Sequence, residues 1–222
     1  VKHPNLYLIG LTGGIACGKS TVLAILNELG AHTIDADQVT HRLQQPGTPV
    51  YEQIVAAFGS DILASPDGPL DRRKLGAIVF NDPAALQRLE QIVHPAVRAT
   101  IVAWLDQLGK LEEKAIEQQN DTTAPGSPPN IAVIDAVKLL EAGWKKDVDA
   151  IWIVTCAAEQ QVERLMRTRG MSEAEARQRI AAQPPQSSRI AQADVVIDNS
   201  GALEQVRAQI EAAWQKIVEP GR

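Results

Sequence analysis

The apolar positions of this chain change period as it runs. Leu6-Tyr7-Leu8-Ile9-Gly10-Leu11 is a short, nearly continuous apolar run of the kind a strand buried on both faces needs. Val22, Ile25, Leu26 and Leu29 then recur at the spacing of one helical face, and Gly30 stands where such a helix ends. Ala31-His32-Thr33-Ile34-Asp35 reads as a second strand. Val39 and Leu43 predict a helix stopped by Pro46-Gly47, and Val50, Ile54 and Phe58 predict another closed by Gly59. Pro66-Asp67-Gly68-Pro69 is a turn, and Asp71 can cap a helix carrying Leu75, Ile78 and Val79. Asn81-Asp82-Pro83 breaks that helix. Leu86, Leu89, Ile92 and Val93 form the next face, His94-Pro95 is expected to interrupt it, and Val97, Ile101, Trp104, Leu105 and Leu108 continue as a longer helix. Residues 49–115 therefore read as a helical insertion between the second and third strands.

Residues 117–130 carry no apolar period and read as a mobile linker. Beyond them, Ile131-Ala132-Val133-Ile134-Asp135, Ala150-Ile151-Trp152-Ile153-Val154-Thr155 and Val195-Val196-Ile197-Asp198 predict three more strands. Between the last two lie two helical stretches joined at Gly170-Met171, the second opened by a Ser172/Glu175 capping box. Leu203, Val206, Ile210, Trp214 and Ile217 define a closing amphipathic helix. Strands alternating with helices predict an α/β fold with a parallel sheet covered on both faces. The expected organisation is a core of residues 1–48 and 131–222, a helical domain at 49–116, and a small helical segment at about 158–190.

The stretch joining the first strand to the first helix carries chemistry. Gly13-Gly14-Ile15-Ala16-Cys17-Gly18-Lys19-Ser20-Thr21 has a glycine, four free positions, then Gly-Lys-Ser, between a strand and a helix. Gly13, Gly14 and Gly18 are expected to adopt dihedrals that a Cβ forbids, turning successive amides inward for anionic oxygens. Lys19 adds a charge for the β- and γ-phosphates and is expected to face solvent in the free protein. The Ser20 hydroxyl is placed for Mg²⁺, and the helix that follows directs its positive end at the same anion.

Composition narrows the remaining classes. With 222 residues, 45% of them hydrophobic, the chain can bury a core without disulfides. Cys17 and Cys156 are too few for a disulfide framework, which predicts a reducing compartment. No apolar run is long enough to span a bilayer and no signal-peptide pattern opens the chain, so no membrane partner is expected. A net charge of −5 gives no field for nucleic acid.

Phosphoryl transfer also asks for carboxylates and cations. Asp35 and Asp37 follow the second strand, where each either caps a helix or serves the attacking hydroxyl and the metal waters. Asp135 ends the third strand, as a cap or as an acid near the nucleotide; Glu141 follows it more weakly. Arg164, Arg167, Arg169, Arg177, Arg179 and Arg189 surround the helix–glycine–helix joint. That group is either a solvated face with Glu163–Arg167 and Glu173–Arg177 pairs, or a closing lid in which Arg164 or Arg169 meets the developing charge. His94 stands alone, and no Cys/His cluster makes a metal site. Cys17 lies inside the loop, at a helix N-terminus beside Lys19.

These residues together resemble the dephospho-coenzyme A kinases over nearly the whole chain. The resemblance rests on Leu11-Thr12-Gly13-Gly14-Ile15-Ala16-Cys17-Gly18-Lys19-Ser20-Thr21, Ile34-Asp35-Ala36-Asp37, Pro46-Gly47 and Asp67-Gly68-Pro69-Leu70-Asp71-Arg72-Arg73. Val93-His94-Pro95, Arg169-Gly170-Met171 and Ala193-Asp194-Val195-Val196-Ile197-Asp198-Asn199-Ser200-Gly201 extend it. It implies a three-layer phosphate-loop fold related to nucleoside-monophosphate kinases: a five-stranded parallel core, an inserted helical acceptor domain and a lid. It also implies transfer of the γ-phosphoryl of ATP, with Mg²⁺, to the ribose 3′-hydroxyl of dephospho-coenzyme A in the cytoplasm. Gly13, Gly14, Ala16, Cys17, Gly18, Lys19, Ser20 and Thr21 would hold ATP, with Asn199 near the adenine. Asp37 would take the hydroxyl proton, Lys19 and Arg164 or Arg169 would stabilise the transferred group, and Asp35, His94 and Asp135 would line the acceptor side.

Two segments depart from the family pattern: the linker at 117–130 looks like an insertion, and the segment after the third strand differs in its residues. Asp135-Ala136-Val137-Lys138-Leu139-Leu140-Glu141 lacks the usual Pro, and Lys138 replaces an apolar residue. The rival readings are another small-molecule kinase, a GTP-driven switch and a nucleotide-binding module without turnover. Asp198-Asn199-Ser200-Gly201 fits the switch's Asp-x-x-Gly element, but no Asn-Lys-x-Asp guanine reader is present. Retention of Lys19, Ser20 and Asp37 argues against a module without turnover.

Overall fold

The apolar runs become β1 (Leu6–Gly13), β2 (His32–Asp35), β3 (Asn130–Asp135), β4 (Ala150–Thr155) and β5 (Val195–Asp198) in a computed structural model that describes residues 6–118 and 130–219. They form one five-stranded parallel sheet in the order β2-β3-β1-β4-β5. The central strand pairs with β3 from Leu6↔Asn130 to Leu11↔Asp135, and with β4 from Ile9↔Ala150 to Gly13↔Val154. All six residues of β4 are buried, as the continuous apolar run requires. These registers bring the carboxyl ends of β1, β3 and β4 to one edge, where open α/β sheets bind ligands.

One face of the sheet is covered by α1 (Lys19–Glu28) and α9 (Leu203–Val218). Ile9, Leu11, Trp152, Val154 and Ile197 of the strands meet Val22, Ile25, Leu26, Val206 and Ile210 of the helices in one buried cluster. Each such side chain contributes roughly 1.5–3 kcal/mol of burial free energy, so this contact fixes the orientation of α1 and the loop before it. Gly10 faces the opposite side and leaves room for Leu139, whose Cδ2 would stand 2.9 Å from a Cβ there. Leu139 is fully buried, whereas Lys138 beside it is exposed. Lys138 therefore faces solvent.

The remaining helices are α2 (Ala36–Leu43), α3 (Pro49–Phe58), α4 (Arg72–Asn81), α5 (Pro83–Gln118), α6 (Ala158–Arg169), α7 (Glu173–Ala181) and α8 (Gln186–Ile190). Asp71 caps α4 by accepting from the Arg73 and Lys74 amides. The Ser172/Glu175 capping box opens α7. The expected break at His94-Pro95 does not occur, because α5 runs straight through it. A proline inside a helix costs about 3 kcal/mol. Val93, Val97, Ile101 and Leu105 lie buried along one stripe on both sides of it, and at roughly 1.5–3 kcal/mol each their burial outweighs that cost. The short α8 follows Pro184-Pro185, where no apolar period announced it.

Packing divides the chain into two compact units, one of residues 1–34 and 107–222 and one of residues 35–106. This division falls at the end of β2 and within α5, while the sequence reading placed the helical part at 49–116. Of the linker expected at 117–130, residues 119–129 lie outside the described residues, Glu117 and Gln118 belong to α5, and Asn130 opens β3. Among the described residues no helix is long and apolar enough to cross a membrane.

Candidate phosphate-binding site

The loop between β1 and α1 holds its backbone by its carbonyls. Ile15 O accepts from Gln161 Nε2 at 2.7 Å, Ala16 O from Arg164 Nη1 at 3.3 Å, and Cys17 O from Asn199 Nδ2 at 2.7 Å. Gly14 O accepts from the Cys17 amide, and Gly18 O from the amides of Thr21 and Val22. The Ile15 amide donates to Gln183 Oε1 at 2.9 Å. Among the described residues the amides of Ala16, Gly18, Lys19 and Ser20 have no protein acceptor. Carbonyls engaged by protein and amides left for a ligand make an anion cradle at a helix N-terminus.

The glycines serve this loop in two ways, one of them unlike the expectation. Gly18 has φ +84° and so uses the left-handed region. Gly13 and Gly14 do not; there the demand is space. A Cβ on Gly13 would lie 2.7 Å from Val154 O, and one on Gly14 2.9 Å from Gln161 Nε2. The second left-handed residue of the loop is Ala16, at φ 57°. A Cβ-bearing residue in that conformation is strained and persists only where its surroundings hold it, and here Arg164 holds its carbonyl.

Lys19 corrects a second expectation. Its Nζ pairs with Asp135 Oδ1, and the two side chains are only 17% and 7% exposed. Lys19 is thus turned toward the end of β3 rather than out to solvent. The Thr12 hydroxyl donates to Val137 O and the Ala136 amide to Leu11 O, fixing the turn beyond Asp135. Ser20 and Thr21 lie in the first turn of α1, Ser20 exposed.

The two cysteines meet beside the loop. Cys17 is fully buried, accepts from Gln161 Nε2 at 3.2 Å, and is bonded by the Cys156 thiol. That hydrogen bond lowers the pKa of Cys17, against the upward push of burial, with the Gly14 and Arg164 surroundings adding to the lowering. Cys156 moves the other way: it gives its proton to the pair, and burial disfavours its thiolate.

The arginines separate by environment. Arg164 donates to Ala16 O and, at 2.9 Å, to Asn199 O, so it braces the loop. Arg177 is exposed and pairs with Glu159 and Glu173, the solvated-face arrangement. Arg169, at the end of α6, is exposed. Asn199 is buried, with its amide nitrogen committed to Cys17 O. Gln161 and Gln183 were not singled out from sequence as site residues, and Arg189 was named only as one of the arginine group. The available signal was Gln161, a polar residue on the inward stripe of α6 with Val162 and Leu165.

Asp35, Asp37 and His94 belong to the other compact unit. There Asp35 is the cap of α2, accepting from the Gln38 amide at 2.9 Å. Asp37 is exposed in the first turn of that helix, and its side chain makes no capping bond among the described residues. His94 is exposed on α5. No group of three or more His, Cys, Asp or Glu residues suited to a metal occurs among the described residues.

A parallel sheet whose central strand ends in such a cradle, followed by Lys-Ser opening a helix, defines a phosphate-loop nucleotide-binding protein of the kinase class. A dephospho-CoA kinase family model matches residues 7–205. A dephospho-CoA kinase of Symbiobacterium thermophilum is 48% identical over 94% of this chain and 80% of its own length. One of Geobacter sulfurreducens is 45% identical over 94% of this chain and 98% of its own. Among solved structures, TT1252 of Thermus thermophilus superposes with a TM-score of 0.76 at 30% identity, covering 97% of this chain and 99% of that one. The dephospho-CoA kinase of Campylobacter jejuni gives 0.63 at 26% identity, covering 96% and 98%. The chain belongs to the dephospho-CoA kinase family, which uses ATP to carry out the final step of coenzyme A synthesis.

Proposed function

We propose that this chain transfers the γ-phosphoryl of ATP to the ribose 3′-hydroxyl of dephospho-coenzyme A. The observation that carries the reading is the cradle, in which the carbonyls of residues 14–18 are engaged while the amides of Ala16, Gly18, Lys19 and Ser20 have no acceptor among the described residues. Triphosphate oxygens accept from those amides. Lys19 exchanges its contact with Asp135 for the β- and γ-phosphates, which releases the carboxylate to orient bound water. Asp37, exposed and not used as a cap, takes the proton of the acceptor hydroxyl as the new bond forms. Asp35 sets the helix that carries Asp37, and His94 lines the acceptor side. Arg164 and Arg169, on the helical segment at about 158–190, steady the charge spreading over the transferred group.

The chemistry of the donors suits Mg²⁺: Ser20 is exposed at the helix start, next to Lys19, which contacts Asp135, and that carboxylate would hold metal waters rather than the ion itself. Bound there with the nucleotide, the ion would neutralise phosphate charge. Asn199 holds the purine end indirectly, through the loop it clamps. Both cysteines are free thiols, in keeping with the cytoplasmic site of action we assign.

The test is product analysis with ATP and either dephospho-coenzyme A or nucleoside monophosphates as acceptor. We expect phosphate at the ribose 3′ position of dephospho-coenzyme A and none on the monophosphates. Preference for a monophosphate would overturn the acceptor assignment and leave the cradle standing.

A further inference from the structure

Arg189 stands out among the cations beside the loop. It is only 7% exposed, on α8 at the approach to β5. Its only acceptor among the described residues is Gln183 Oε1, at 3.5 Å, and that oxygen already accepts from the Ile15 amide at 2.9 Å. It has no carboxylate within ion-pair distance among the described residues. A guanidinium carries five donors, so most of its hydrogen-bonding capacity is unspent. Arg164 and Arg177 differ: one is committed to two carbonyls, the other to two carboxylates. A buried cation without a counter-ion is unfavourable, and buried charges are as a rule paired with an opposite charge.

The direction of Arg189 identifies the anion. A Cβ built on Gly14 would stand 3.6 Å from Arg189 Nη1 and 2.9 Å from Gln161 Nε2. The guanidinium therefore lies against Gly14, at the start of the cradle. We propose that Arg189 is a phosphate-contacting residue, supplying a planar donor pair to the nucleotide phosphate oxygens held on the loop amides. Gln183 acts as its positioning residue, joining the guanidinium to the Ile15 amide through one oxygen. This rests on the reading that the loop holds ATP. It adds Arg189 to the charge-matching role that sequence reasoning gave to Arg164 or Arg169, with Arg164 also bracing the loop through two carbonyls.

The experiment uses the full chain and the variants R189M and R189K. Dissociation constants for ATP and for adenosine are measured by calorimetry, and melting curves are taken with and without ATP. Methionine keeps the apolar stem and removes the charge. We expect R189M to weaken ATP binding at least about tenfold, a difference of about 1.4 kcal/mol, with adenosine binding unchanged. Its melting temperature without ATP should equal or exceed that of the wild type, because an uncompensated buried charge is gone. R189K should bind ATP several-fold more weakly than the wild type, having lost the fork. Unchanged ATP affinity in R189M overturns the proposal, as does equal loss for adenosine. An R189M that does not fold, with R189K binding ATP like the wild type, assigns Arg189 to the scaffold instead. A wild type that binds no ATP refutes the nucleotide reading itself, whereas normal wild-type turnover with an unaltered R189M refutes only this inference.

Discussion

Substituting Gly18 tests whether Asn199 clamps the loop. Two costs follow from the geometry of Gly18→Ala. The residue sits at φ +84°, where a Cβ costs roughly 1–2 kcal/mol. That Cβ would also overlap Asn199 Nδ2, whose bond to Cys17 O at 2.7 Å is buried. Displacing the amide forfeits that bond and leaves a buried carbonyl unpaired, about 1–3 kcal/mol. The single variant should lose about 2–5 kcal/mol, and at about 2–4 °C per kcal/mol for a chain of this size its melting point should fall by about 4–20 °C. Asn199→Ala alone forfeits the same bond, again about 1–3 kcal/mol. The double variant forfeits it once and has no overlap, so it should match Gly18→Ala rather than the sum. The cycle therefore predicts a coupling of about 1–3 kcal/mol, measured by denaturant unfolding of the four proteins. Additive losses, or a Gly18→Ala variant as stable as the wild type, would refute the clamp.

Three further outcomes are expected. Lys19→Ala should abolish turnover and also lower the melting point by several degrees, because Asp135 loses one partner while only 7% exposed; a calorimetric scan matching the wild type would show that the pair contributes nothing. Asp37→Asn should lower kcat by about 10²–10⁴ with little change in ATP affinity or melting point, whereas Asp35→Ala should lower stability by about 1 kcal/mol as a lost cap; steady-state kinetics beside melting curves separates them, and near-wild-type kcat in Asp37→Asn sinks the proton-acceptor role. Labelling with iodoacetamide across pH should be slow, because both thiols are buried and react only when the loop opens, and should modify Cys17 before Cys156, because the Cys156 hydrogen bond lowers the Cys17 pKa. Mg-ATP should slow it, and equal rates at both cysteines, read by mass spectrometry, would contradict the assigned direction.

What the sequence disclosed was local. β4 is apolar throughout, the loop glycines and Lys19 are adjacent, and Ser172 and Glu175 cap within one turn, so each is written in a few consecutive residues. The bracing of the loop is not written that way. Gln161, Gln183 and Asn199 reach residues 15 and 17 from far along the chain, and no period or motif links them. The turning of Lys19 toward Asp135 depends on the pairing of β1 with β3, in which Leu11 lies opposite Asp135. At Pro95 the local rule was outvoted by a buried stripe extending on both sides. The strained backbone sits on Ala16 rather than on Gly13 or Gly14, because surrounding side chains, not composition, decide where a left-handed residue is held.

The clamping of the loop by its carbonyls separates two properties that usually travel together. In most folds an ordered segment shields its amides, so slow isotope exchange and a fixed backbone report each other. Here the peptide planes are fixed from the carbonyl side, while the amides of Ala16, Gly18, Lys19 and Ser20 have no protein acceptor among the described residues. Deuterium uptake at these positions reads the openness of the cradle, not the looseness of the chain. A map built on uptake alone would rank the most braced turn of the sheet among its floppiest.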